Sequence, residues 1–171
     1  SGLTAVDLVL ALQARAHQGP IHVVSRHGRL PQSHRPCAPG APLRIADETP
    51  ATVRSLLRRI RQEIAAATET GRDWRAVIDA LRPETPALWQ ALPPVERRRF
   101  LRHVRAFWEN HRHRAAPEAI AAIEQLRRSG QLRVHAGRIR AYEERRDRVR
   151  VCYQPRRDHA LRGLSVGRVI N

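Results

Sequence analysis

The chain has no lysine and no methionine, and its 171 residues include only two cysteines. Cys37 and Cys152 lie far apart, which excludes a disulfide framework and any paired-cysteine zinc site, so both are expected to be idle thiols. Aromatic residues make up 4% of the chain. Trp74, Trp89, Phe100, Phe107 and Trp108 recur at helical spacing, which suits core anchors and not the base-stacking platform of a single-strand binder. Long apolar runs are missing too. The longest, such as Leu8 to Leu12, cannot span a bilayer or form the core of a signal peptide. With 42% hydrophobic residues, the chain can still bury a real core. A cytoplasmic protein with no membrane partner is expected.

The missing lysine also colours the charge. All 32 basic residues are arginine, against 16 acidic ones, giving +16. Such a balance ordinarily points to a nucleic acid or another polyanion. In an alanine-rich chain where arginine has displaced lysine completely, compositional bias explains the excess as well as a partner does, so nucleic acid is not expected to bind.

Along the chain, Leu3, Val6, Leu10 and Ala14 form one helical stripe with Val9, Leu12 and Ala16 beside it, and Gly19-Pro20 closes the segment. Ile21 to Ser25 is short, apolar and β-branched, as a buried parallel strand is. A proline-rich stretch from Arg26 to Pro50 reads as a surface loop. Thr49-Pro50 is the expected start of a helix carrying Val53, Leu56, Leu57, Ile60 and Ile64 up to Gly71. Further helices are expected over 73–81, 85–92, 94–111 and 117–128. Strands follow at 132–134, 138–140, 148–153 and 166–170. The fold class is therefore α/β: a partial Rossmann-like dinucleotide-binding sheet, interrupted by an all-α insertion and closed by a short β-meander. The expected divisions are 1–46 for the first part of the nucleotide-binding unit, lacking its first strand, 47–130 for the helical insertion, and 131–171 for the returning strands.

The chemistry is concentrated at the start. In Ser1-Gly2-Leu3-Thr4-Ala5-Val6-Asp7, a glycine directly before a helix leaves the first amides accessible to a phosphate. This looks like the second half of G-x-G-x-x-G/A: Gly2 the glycine that admits pyrophosphate, Ala5 the small residue for helix-to-strand packing. An ordinary helix start is the competing reading. The residue that reads the adenosine ribose is expected about 20 positions on, at the end of the second strand. Ser25-Arg26-His27 stands there, with Arg29 close by, and no acidic residue. Carboxylates accept from a free 2′-hydroxyl, whereas serine and arginine suit a 2′-phosphate. NADP(H) is favoured over NAD(H), which stays open. The alternative for Arg26 is a solvated charge at a strand end.

Ser1 to Asp7, Gly19-Pro20-Ile21, Ser25 to Pro31, Phe100 to Arg105, Trp108, His111 to Arg114 with Ala116-Pro117, and Arg168 to Asn171 together make the chain resemble the bacterial FAD/NAD(P)-binding proteins related to flavin monooxygenases and reductases. The resemblance touches nearly the whole length. It implies an internal fragment: the second dinucleotide-binding unit with its helical elaboration, the FAD-binding domain of the same chain being its missing partner. Ser1, Gly2, Leu3, Thr4, Ala5, Ser25, Arg26, His27 and Arg29 would then hold NADP(H), with FAD bound by the parent and the fragment inactive alone.

Other polar clusters carry less. His111-Arg112-His113-Arg114 has no carboxylate or cysteine at ligand spacing, so metal binding is not expected; a basic patch or a solvated helix end fits better. No nucleophile constellation is present: Ser33 and His34 are chance neighbours and Cys37 sits among prolines. Catalytic side chains are not expected, because in flavoproteins the cofactors carry the chemistry. The rival readings are a basic helical nucleic-acid-binding module, from the arginine faces of residues 54 to 61 and 97 to 105, and a protein-interaction domain.

Overall fold

A computed structural model of the chain describes residues 2–38, 43, 45, 52–158 and 160–171. In chain order the elements are α1 (Leu3–Ala14), β1 (Ile21–Ser25), α2 (Val53–Glu69), α3 (Trp74–Ala80), α4 (Thr85–Ala91), α5 (Pro94–His103), α6 (Arg105–Arg112), α7 (Pro117–Arg128), β2 (Leu132–Arg145), β3 (Arg148–Pro155) and β4 (Arg162–Val166). The class is α/β. The chain forms two compact units, one from residues 1–32 and 115–171 and one from 33–114.

In the first unit β1 and β2 pair in parallel from Ile21↔Leu132 to Ser25↔Ala136. A parallel pair needs a crossover, and its last element is α7, which packs on α1 and β2. Val6 and Val9 of α1, Ile123 and Leu126 of α7, and Ile21 and Leu132 of the strands make one buried cluster. The three- and four-residue spacings on the helices and the strand alternation aim these six at each other. α1 stops where Ala16 adopts φ +53, and the His17 amide donates back to Leu12 O at 3.0 Å. The stop is thus a left-handed cap, three residues before the Gly19-Pro20 expected from the sequence.

β2 then changes partner. From Gly137 to Arg145 it pairs antiparallel with β3, with an irregularity between Ile139 and Ala141, and β3 pairs antiparallel with β4. The sheet order is β1-β2-β3-β4. Glycine stands at the change because a Cβ at Gly137 would lie 2.6 Å from Gln154 O. Two sequence expectations are corrected here. The short strands at 132–134 and 138–140 are one continuous strand, and the last strand is 162–166, earlier than 166–170. The helix at 117–128 packs within this unit, on α1 and β2.

The second unit is helical, with Ile45, Ile78 and Leu81 buried and Leu56, Ile60, Trp74, Leu88 and Trp108 packed on them. Side chains cap its helices. The expected cap at Thr49-Pro50 lies outside the described residues. Thr52 and Ser55 form a capping box at the start of α2, and the carboxylate of Glu96, 5% exposed, accepts from the Val53 amide at 2.8 Å. At the end of α4 the Arg97 guanidinium donates to the carbonyls of Trp89, Leu92 and Gln90. The expected helix over 94–111 is divided at Val104 (φ −111), the shared cap of α5 and α6. Among the described residues no helix is long and apolar enough to cross a membrane.

Candidate functional site

The N-cap of α1 is Gly2, extended at φ −114, ψ −162, with no side-chain cap. Its carbonyl accepts from Ala5 and Val6, so the amides of Leu3 and Thr4 precede the first intrahelical bond. A Cβ at Gly2 would meet nothing within 4 Å: approach to these amides is open. Ala5 is half-buried beside the buried Val6. Ser1 lies outside the described residues.

Which edge of the sheet this helix start faces follows from its other end. The Gln131 side chain donates to His17 O at 2.6 Å and to Gly19 O at 3.4 Å, and the Ile21 amide donates to Gln131 O at 2.8 Å. The end of α1 therefore sits where β1 and β2 begin. A 12-residue helix runs about 18 Å and a five-residue strand about 16 Å. Lying back along β1, α1 would bring its start to about the level at which β1 ends.

At that end the chain turns sharply. The Gly28 amide donates to Ser25 O at 3.3 Å and to Ser25 Oγ at 3.1 Å, so the Ser25 hydroxyl shapes the turn. Gly28 has φ +59, and a Cβ there would lie 2.9 Å from Ala136 Cβ, so only glycine fits without strain. The turn brings Arg26, His27 and Arg29 together, with both arginines exposed.

A fourth basic residue arrives from β3. The Arg156 amide donates to Ala136 O at 2.9 Å, and its guanidinium Nη1 meets His27 Nδ1. Burial, then the charges of Arg156, Arg29 and Arg26, push the His27 pKa below its usual value. The imidazole is thus neutral at pH 7 and accepts from Arg156, which leaves the arginines as the positive groups of the edge. Sequence reasoning missed Arg156. No local signal marks it, because its place depends on the β2–β3 register and on the change of partner after Ala136.

A second cluster lies along the same strands. His22 Nδ1 and His135 Nε2 are 2.9 Å apart, and the Tyr153 hydroxyl is 3.1 Å from His135 Nδ1. Burial, with Arg133, lowers the His22 pKa. Burial, then His22, Arg133 and Arg162, lowers that of His135. The three rings form a hydrogen-bonded chain across β1, β2 and β3.

The side chains of the 111–114 cluster have partners within the helical unit. His111 Nδ1 lies 2.8 Å from Phe107 O, His113 bonds Glu109 at 2.6 Å, and Arg114, 3% exposed, clasps both oxygens of Asp79 at 2.6 and 2.7 Å. Among the described residues no group of three His, Cys, Asp or Glu could hold a metal. The Cys152 thiol donates to Glu143 at 3.4 Å. Its pKa is raised by burial and then by Glu143, which makes it a poor nucleophile.

No known protein family, no curated protein and no solved structure matches this chain.

Proposed function

We propose that the chain is the NADP(H)-binding half-site of an FAD-dependent oxidoreductase, in which a separate domain of the same protein binds FAD. What supports this reading is an uncapped helix start and an arginine-rich turn, which the lengths of α1 and β1 put at the same end of the β1–β2 pair. Pyrophosphate would take the amides of Gly2, Leu3 and Thr4, favoured by the partial positive charge of the helix start. Ala5 keeps α1 close to the sheet. Arg26 and Arg29, joined by the His27-held Arg156, would take the 2′-phosphate through charge-assisted hydrogen bonds, and Ser25 holds the turn that presents them. No carboxylate stands at the end of β1 to favour a free 2′-hydroxyl, so NADP(H) is preferred to NAD(H). The parallel β1–β2 pair with flanking α1 and α7 is the Rossmann-like part, and residues 33–114 are the insertion. Hydride transfer would be the cofactors' chemistry, and the protein's part is to hold and orient the nucleotide.

The arginine faces that motivate a nucleic-acid reading are partly engaged: Arg97 with the end of α4, Arg99 with Glu96, Arg59 with Glu63 and Arg105 with Glu109.

The test uses the protein with its natural flanking sequence. It should be yellow, and in anaerobic titration NADPH should bleach the flavin more readily than NADH. Arg26→Ala and Arg156→Ala should each weaken NADPH by about tenfold, and NADH little. Colourless protein that FAD does not reconstitute would sink the proposal. Equal loss for both nucleotides would overturn the 2′-phosphate assignment.

A further inference from the structure

The helical unit holds a feature that the nucleotide reading does not use: an apolar recess of about 160 Å³ among α2, α4, α5 and α6. Close-packed interiors rarely contain voids larger than a water molecule. Here the inward stripe of α2 is buried at Val53 and Ala67; between them Leu56, Leu57 and Ile60 remain half-buried and face the recess. Across from them stand Leu88, Trp89, Phe100 and Trp108. Water in such a space finds almost no hydrogen-bonding partner, so it is readily displaced by an apolar occupant.

The wall also states what that occupant is. Among the described residues no charged side chain lines the recess, and Thr85 is the one hydroxyl-bearing residue of its wall. The Thr85 hydroxyl donates to Leu81 O at 2.9 Å, so its proton is spent on the backbone at the end of α3. Trp89 and Phe100 meet edge-to-face at 5.8 Å. Arg97 stacks on the Trp89 ring at 5.6 Å, while its nitrogens hold the carbonyls at the end of α4. The aromatic wall is thereby braced from behind. An apolar cavity of about 150 Å³ stays dry and takes up benzene, and this recess has that size. We propose that it is a binding site for a neutral apolar molecule of the size of one aromatic ring. The recess opens to the surface, and an anion drawn into it would lose hydration with no counter-charge on the wall to meet it.

The full-length protein, with 5-fluorotryptophan at its three tryptophans, is titrated with toluene and followed by ¹⁹F NMR. Trp89 and Trp108 should shift saturably, and Trp74, outside the wall, should shift far less. Benzoate, the same ring carrying a charge, should bind at least about tenfold more weakly. Leu88→Phe and Leu57→Phe, filling the recess from opposite walls, should each weaken toluene by about tenfold or more. Should one variant fail to fold, the other carries the same test, and the comparison of toluene with benzoate needs neither. The proposal is overturned if Trp89 and Trp108 ignore toluene, as they would were another part of the chain already filling the recess. It is equally overturned by benzoate binding as well as toluene, or by a folded variant binding toluene as tightly as the parent.

Discussion

Gly28→Ala tests the turn that gathers Arg26, His27 and Arg29. Two costs combine. At φ +59 an alanine gives up about 1 kcal/mol relative to glycine. Its methyl would also sit 2.9 Å from Ala136 Cβ and 3.1 Å from both Ala136 Cα and N, and overpacking of this sort costs roughly 1–3 kcal/mol. The backbone atoms cannot swing away, because Ala136 is the last β2 residue paired to β1 and its carbonyl accepts from Arg156. A loss of about 2–4 kcal/mol is expected in urea unfolding of the α/β unit. The two costs separate in a double-mutant cycle with Ala136→Gly, which removes the methyl contact but leaves the backbone contacts and the φ penalty. The coupling should be about 1 kcal/mol in favour of the double variant. A Gly28→Ala loss below about 0.5 kcal/mol, or zero coupling with Ala136→Gly, would refute the packing argument.

Three further outcomes are expected. Asp79→Asn should destabilise the helical unit by about 2 kcal/mol, less than a fully buried pair because Asp79 is 34% exposed, since it strands the Arg114 charge; joint replacement of Asp79 and Arg114 by leucine should restore most of it in chemical denaturation. Glu96→Ala should cost about 1–2 kcal/mol by uncapping the Val53 amide, whereas Glu96→Gln, which keeps an acceptor, should cost less in the same assay. Folding stability should fall as pH drops from about 7 to 5: the His22 and His135 pKa values are depressed in the folded state, so the unfolded chain, titrating near 6.5, binds protons that the native state refuses. His22→Gln should flatten that slope in urea titrations at each pH, and an unchanged slope would remove the pair from the explanation.

The parts of the fold legible in the sequence are those set by near neighbours. Val6 and Val9 on α1, the β-branched run of β1, and the proline starts of α5 and α7 are local patterns, and each element stands where its pattern lies. Boundaries that depend on distant contacts were not legible. α5 and α6 read as one helix because nothing in Phe100 to Trp108 breaks helical periodicity, yet the division falls at Val104. α7 reads like the helices before it, since an apolar stripe does not say against which partner it packs. Ile123 and Leu126 meet Val6, Val9 and Leu132, and that choice is made by the parallel pairing of β1 with β2.

The candidate site divides along the same line. Gly2 before its helix and the run Ser25 to Arg29 are each local patterns in the sequence, and their chemistry can be argued from spacing alone. Arg156, the His22–His135–Tyr153 chain and the contact of Gly28 with Ala136 depend on register. They converge because β2 leaves β1 at Ala136 and takes up β3 at Gly137, so one residue carries the end of the parallel ladder, the wall against Gly28 and the acceptor for Arg156. Alanine at 136 is small enough for the turn to approach, and Gly137 lets Gln154 come close enough to start the new ladder. A bulkier pair at 136–137 would push apart the β1 turn and the β3 end together. It would therefore scatter the arginines without altering any of them, which is why bulkier substitutions at Ala136 should weaken strand pairing and the proposed nucleotide binding in proportion.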